Sequence, residues 1–111
     1  MVKYLAVSDA LTMVYSALGD STRRGIVERL AAGEMTVAEI RRPLQMSAPA
    51  VSKHLRVLEH AGLLLRRRSG RHQVCVLRDR PLIEAGQWIE AQTAFWSGTL
   101  DSLAGHLSEE Q

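Results

Sequence analysis

Cysteine occurs once in this 111-residue chain, as Cys75, so no internal disulfide can form and no disulfide framework holds the fold. A single thiol fits a reducing compartment, and the expected location is the cytoplasm. Aromatic residues are equally sparse, with two Trp, two Tyr and one Phe. The core must therefore be built from Leu, Val, Ile, Ala and Met. Proline appears three times, and no stretch rich in Pro, Gly or Ser divides the chain, which predicts one domain. No apolar run approaches the length of a membrane span. The first residues do not read as a signal peptide, because Asp9 interrupts the apolar run and the apolar spacing suits a soluble helix. Lys and Arg are absent from residues 81–111.

That last absence exposes a strong charge segregation behind a net charge of only +2. Residues 47–80 carry eight Lys/Arg against two acids, whereas residues 81–111 carry five acids and no base. A polyanion would be drawn to the first segment and repelled by the second.

Punctuation at Gly19-Asp20, Gly33, Pro43, Gly62, Ser69-Gly70 and Pro81 cuts the chain into short elements. Leu11, Val14, Tyr15 and Leu18 share a face of a helix expected from Ser8 to Leu18. Asp20 or Ser21 caps a second helix carrying Ile26, Val27 and Leu30. Thr36 and Glu39 form a capping box for a third, with Val37, Ile40 and Leu44 inward and Pro43 loosening its end. Ser47 caps a fourth, with Pro49 in its first turn and Val51, Leu55 and Leu58 as the apolar stripe. Leu63–Arg68 and His72–Arg78 read as strands joined by a turn at Ser69-Gly70-Arg71. Pro81 opens a long last helix, with apolar residues at three-to-four spacing from Leu82 to Leu107.

The expected fold is thus mainly α with a small β-hairpin wing, about five helices in the order ααααββα. That is a winged helix-turn-helix layout in a single domain, 1–111. Residues 36–61 form the helix-turn-helix and residues 63–78 the wing. In such a layout the fourth helix enters the DNA major groove. Its outward side offers Ser47, Ala48, Pro49, Ser52, Lys53 and Arg56, with His54 as a further DNA or packing contact. Short residues at the start allow close approach to base edges. Ser52 can hydrogen-bond a base, and Ala48 and Pro49 can touch a thymine methyl. Lys53 and Arg56 can reach phosphates, as can free N–H groups after Thr36 and Ser47. In the wing, Arg66 and Arg68 share one face and Arg67 lies on the other, so not all three can meet DNA. Arg68 and Arg71, beside the turn, are the favoured contacts.

The runs Ala50-Val51-Ser52-Lys53-His54-Leu55, Val57-Leu58-Glu59 and Ala61-Gly62-Leu63-Leu64 resemble the signature of the ArsR/SmtB family of bacterial repressors. Ala17-Leu18-Gly19-Asp20-Ser21-Thr22-Arg23-Arg24 is similar to that family's entry into its second helix. The resemblance implies a homodimer paired through the first and last helices, residues 8–18 and 81–107, that binds a palindromic operator in double-stranded DNA and blocks transcription. The candidate dimer residues are Leu11, Val14, Tyr15, Ile89, Phe95, Trp96, Leu100 and Leu103.

The family's metal sites are not legible here. Thr36 and Ala38 stand where one class has thiolates. His106 and Glu109 form half of another class's zinc set, but Thr93 and Phe95 occupy the partner positions. The expectation is no metal and no cofactor, with any small-molecule or metal effector left open. Cys75 is expected to pack as a small apolar residue rather than sense thiols. A thiol- or metal-responsive derepressor of the same fold is the first alternative. A winged helix used for protein contact is the second, although it would not need this basic surface. No paired carboxylates, phosphate loop or nucleophile motif points to an enzyme.

Overall fold

The computed structural model describes the backbone of residues 2–109 and the side chains of residues 10–106. Five helices and three strands follow in the order α1 (Val2–Leu18), α2 (Ser21–Ala31), β1 (Met35–Thr36), α3 (Val37–Arg41), α4 (Ala48–His60), β2 (Leu64–Ser69), β3 (His72–Leu77) and α5 (Arg80–Glu109). The expected order is recovered with one addition. The two-residue strand β1 pairs antiparallel with β3, making the wing a sheet of order β1-β3-β2. Helix α1 starts six residues before the expected Ser8, since no Pro or Gly interrupts residues 2–8. Among the described residues, no helix is long and apolar enough to cross a membrane.

Each helix boundary has a chemical cause. The Asp20 carboxylate accepts from the Arg23 N–H and starts α2. Thr36 Oγ1 accepts from the Glu39 N–H at 3.1 Å while Glu39 Oε1 accepts from the Thr36 N–H at 3.1 Å, so the capping box is closed. Ser47 Oγ accepts from the Ala50 N–H at 3.3 Å and opens α4. At the far end of α4, Gly62 takes φ +76°, its N–H bonds the Glu59 carbonyl, and the Leu63 N–H reaches back to Leu58. This six-to-one and five-to-two pair is a Schellman stop. Leu58 and Leu63, which flank it, are both fully buried.

The core gathers Val14, Ala17, Ile26, Val27, Leu30, Ile40, Val51, Leu55, Leu58 and Leu63 from the helices and the turn into the wing, with Leu64 and Cys75 from the sheet and Ala85 from α5. Strand register explains which wing residues join it. Met35, Cys75 and Arg66 are aligned across the three strands, as are Thr36, Val74 and Arg67. Directly opposed residues share a face, so the Cys75 row looks toward the helices and the Val74 row looks away. At the tip Ser69 opposes His72, leaving Gly70 and Arg71 as a two-residue loop with Gly70 at φ +62°. A hairpin loop of this length whose first residue has positive φ favours glycine there.

Three candidate dimer residues are engaged within the chain itself. Val14 is buried in the core. Tyr15 donates its hydroxyl to the Ala85 carbonyl at 2.6 Å, and its ring meets Trp88 edge-on with centroids 5.9 Å apart. Leu11 also packs on the core, half-buried. The inward face of α1 thus packs on the shared core and on α5 of the same chain.

Candidate nucleic-acid interface

Helix α4 is divided lengthwise. Val51, Leu55 and Leu58 are buried against the core. Ser47, Ala48, Pro49, Lys53 and Arg56 are exposed, and Ser52 is half-buried beside them. The buried stripe fixes which side of the helix faces outward, and that side begins with small residues and continues with cations. Neither Lys53 nor Arg56 makes an ion pair within the described residues, so both remain available to an external anion. At the helix start, the Ala50 and Val51 N–H groups are taken by Ser47 and Pro49 has none, leaving Ala48 as the open donor.

Two expected contacts sit elsewhere. Thr36 bridges β1 to β3 and caps the five-residue helix α3. Its N–H and hydroxyl are both committed to Glu39, and the Glu39 carboxylate already occupies the helix start. A phosphate there would meet a like charge, so Thr36 is a structural residue. His54 turns its ring toward α2, where Arg23 Nη1 lies 3.1 Å from its Nδ1. It leaves the outward face and becomes a packing contact, the other half of its sequence reading. Position decides this: on a 3.6-residue helix, residue 54 lies on the side away from Ser52 and Arg56.

The wing sorts its arginines by partner. Arg66 Nε donates to Glu59 Oε1 at 2.8 Å and Arg66 Nη1 to Gln73 Oε1 at 3.3 Å. Arg67 Nη2 donates to Glu34 Oε2 at 2.5 Å. Arg68 and Arg71 are exposed near the tip without an ion pair among the described residues. Arg41 and Arg42, at the end of α3, are also exposed and without an ion pair among the described residues; no sequence motif singled them out.

Carboxylates around the unit are tuned by their caps. The Arg23 N–H, above all, holds the Asp20 carboxyl below its ordinary value, and the Thr36 N–H does the same for Glu39. Cys75 is fully buried, and burial pushes its thiol pKa upward, with Arg66 opposing weakly. A raised pKa disfavours the reactive thiolate. At the two positions where the zinc-binding class has its other ligands, Thr93 Oγ1 donates to the Ile89 carbonyl and Phe95 lies edge-on to Trp96. The Glu109 side chain lies outside the described residues.

A helix whose inner stripe is locked into the core, whose outer face is small and cationic, and which leads into an arginine-tipped hairpin is built to meet nucleic acid. The comparisons agree. A family model described as a helix-turn-helix domain matches residues 18–67. An HTH-type transcriptional regulator of Mycobacterium tuberculosis is 40% identical over 96 residues, covering 86% of this chain and 87% of that protein. This chain belongs to the ArsR family of winged helix-turn-helix transcriptional regulators. A solved ArsR family transcriptional regulator is 32% identical with TM-score 0.75, covering 79% of this chain and 97% of that one. A homodimeric winged helix-turn-helix DNA-binding domain of Mycobacterium bovis is 27% identical with TM-score 0.63, covering 94% and 90% of the two chains. As an ArsR-family member the chain is a DNA-binding transcriptional regulator and not an enzyme.

Proposed function

We propose that this regulator works in the cytoplasm as a homodimeric repressor that seats α4 of each subunit in successive major grooves of a palindromic operator. The observation that carries the reading is the unpaired outward face of α4, with Ser47, Ala48, Pro49 and Ser52 toward base edges and Lys53 and Arg56 toward phosphates. Arg68 and Arg71 extend the contact to the flanking groove or backbone. Residues 36–61 serve as the reading unit and 63–78 as the wing.

The dimer is supported by α5. Ile89, Phe95, Trp96, Leu100 and Leu103 lie exposed on this helix, and each is at least half accessible. A contiguous apolar strip of this kind marks an interaction surface, and the strip's acidic neighbours would keep it off DNA. Bound over a promoter, such a dimer excludes polymerase, which is repression in its simplest form.

The test is footprinting and fluorescence anisotropy on the DNA flanking the regulator's own gene. Two protected half-sites about 10–11 base pairs apart, or a multiple of that, are expected from a two-fold dimer. Lys53→Ala should weaken binding to all sequences and lower the salt slope by about one. A single protected half-site, or no binding to any duplex at low salt, would refute the proposal.

A further inference from the structure

The His54 ring lies on the inner side of α4, its side chain 17% exposed, and is held by one residue of α2. Arg23 Nη1 donates to His54 Nδ1 at 3.1 Å. The same guanidinium donates through Nε to the Ala17 carbonyl at 2.8 Å and through Nη2 to the Ser16 carbonyl at 3.1 Å. These carbonyls belong to the last turn of α1, the negative end of its dipole, which favours a cation there. One planar group thus ties the end of α1, the start of α2 and the middle of α4 together.

The donor pattern fixes the state of the ring. A guanidinium has only donors, so Nδ1 must offer its lone pair and the ring proton must sit on Nε2. A protonated ring would aim an N–H at another N–H. Among the described residues two charged groups face His54: Arg23 of α2 and the α2 cap Asp20, whose Oδ2 lies 3.9 Å from Nδ1. Asp20 already accepts from the Arg23 N–H at 3.0 Å, and the described end of α1 meets Arg23 through the Ser16 and Ala17 carbonyls. Protonation would therefore turn the ring from the guanidinium toward Asp20.

We propose that Arg23 and His54 are positioning residues for DNA recognition, a guanidinium–imidazole latch that sets the rotation of α4 against the α1–α2 corner and holds only while His54 is neutral. The proposal rests on α4 being the reading helix. Neither side chain needs to touch DNA. The latch acts on the outward face of α4 by holding its inner face.

The test measures anisotropy of the full-length protein on its footprinted operator and on an unrelated duplex, from about pH 8 to about pH 5.5, the range in which imidazoles ordinarily titrate. His54→Leu removes the acceptor and should lower the operator-to-unrelated affinity ratio about tenfold at the upper pH, the factor expected from leaving a charged donor unmatched. His54→Asn keeps an oxygen acceptor near the Nδ1 position and does not titrate. It should retain the ratio within about threefold and hold it on acidification, whereas the wild-type ratio should fall if the latch opens. Retention of the wild-type ratio by His54→Leu would overturn the latch, as would a His54→Asn pH profile that follows the wild type. If His54→Leu does not fold, the wild-type and His54→Asn profiles decide by themselves. A wild type that does not discriminate its operator at any pH would overturn the α4 reading and the latch with it.

Discussion

The two halves of this molecule reverse each other in charge and in how they are held. Residues 47–80 are strongly basic, and their Leu55 and Leu63 are packed in one core with buried side chains from elsewhere in the chain, among them Val14, Ile26, Ile40 and Ala85. Beyond Ala85, α5 is acidic and carries its large apolar residues outside. The first half is complete as a folded object and incomplete only toward an anion. The second is satisfied toward water by its charges and unsatisfied along its apolar strip. On the proposed reading, binding and assembly are thereby separated, with a polyanion repelled from the surface offered to a partner.

If the basic half is self-supporting, damage to its core should act on stability at any protein concentration. Leu58→Ala empties a fully buried site where α4 ends and the wing begins. A loss of about 2–5 kcal/mol is expected, read from urea unfolding at two protein concentrations. A loss confined to low concentration would mean that α4, too, depends on assembly, and the contrast would collapse.

The matching substitution on the other half is Trp96→Glu, at a residue 59% exposed. It should leave the monomer fold intact, seen in an unchanged far-ultraviolet spectrum. It should weaken dimerisation by about 2 kcal/mol or more, roughly thirtyfold, the scale of a central aromatic anchor. Sedimentation at micromolar concentration reads this directly. A dimer unaffected by the change would put the interface elsewhere.

Much of this contrast is legible in the amino-acid order. The charge blocks, the caps at Thr36 and Ser47 and the stripe Val51-Leu55-Leu58 locate the helix-turn-helix without coordinates, because each depends on neighbours a few residues apart. What escaped depends on distant partners. Strand β1 is two residues long, too short for an alternating pattern, and exists only because Cys75 and Val74 lie beside it. His54 looks like a surface residue of a basic helix until Arg23, far back in the chain, is seen to bond it. Val14 and Tyr15 read as an apolar face open to a partner until the core takes up the first and α5 meets the second. Spacing revealed the faces of helices but not their occupants.

Within the basic half a finer contrast separates cations engaged in the fold from cations held ready. Arg66 and Arg67 have glutamate partners, whereas Arg68 and Arg71 have none among the described residues. Arg68→Ala and Arg71→Ala should each lower the salt slope of operator binding by up to about one, with Arg67→Ala leaving it nearly unchanged. Anisotropy titrations at several salt concentrations measure the slopes. Equal slopes for all three variants would mean that Glu34 releases Arg67 when DNA arrives.

The smallest effect concerns acid, and it probes the frame of the basic half rather than its surface. Folding lowers the Asp20 and Glu39 carboxyl pKa values, in each case chiefly through a backbone N–H at a helix cap. A carboxyl with a lower pKa when folded binds fewer protons than in the unfolded chain, so its stabilisation is full above the unfolded value, about 4, and is lost as the pH falls through the folded value. Glu39→Gln keeps an oxygen that can accept from the Thr36 N–H but removes the titration. The stability difference between wild type and Glu39→Gln should therefore shrink between about pH 6 and about pH 3, as measured by urea unfolding. Both groups are solvent-exposed, so the change should be slight and further reduced by salt. A difference that stays constant across this range would show that the cap of α3 works through the neutral hydrogen bond alone, leaving its charge without effect on the fold.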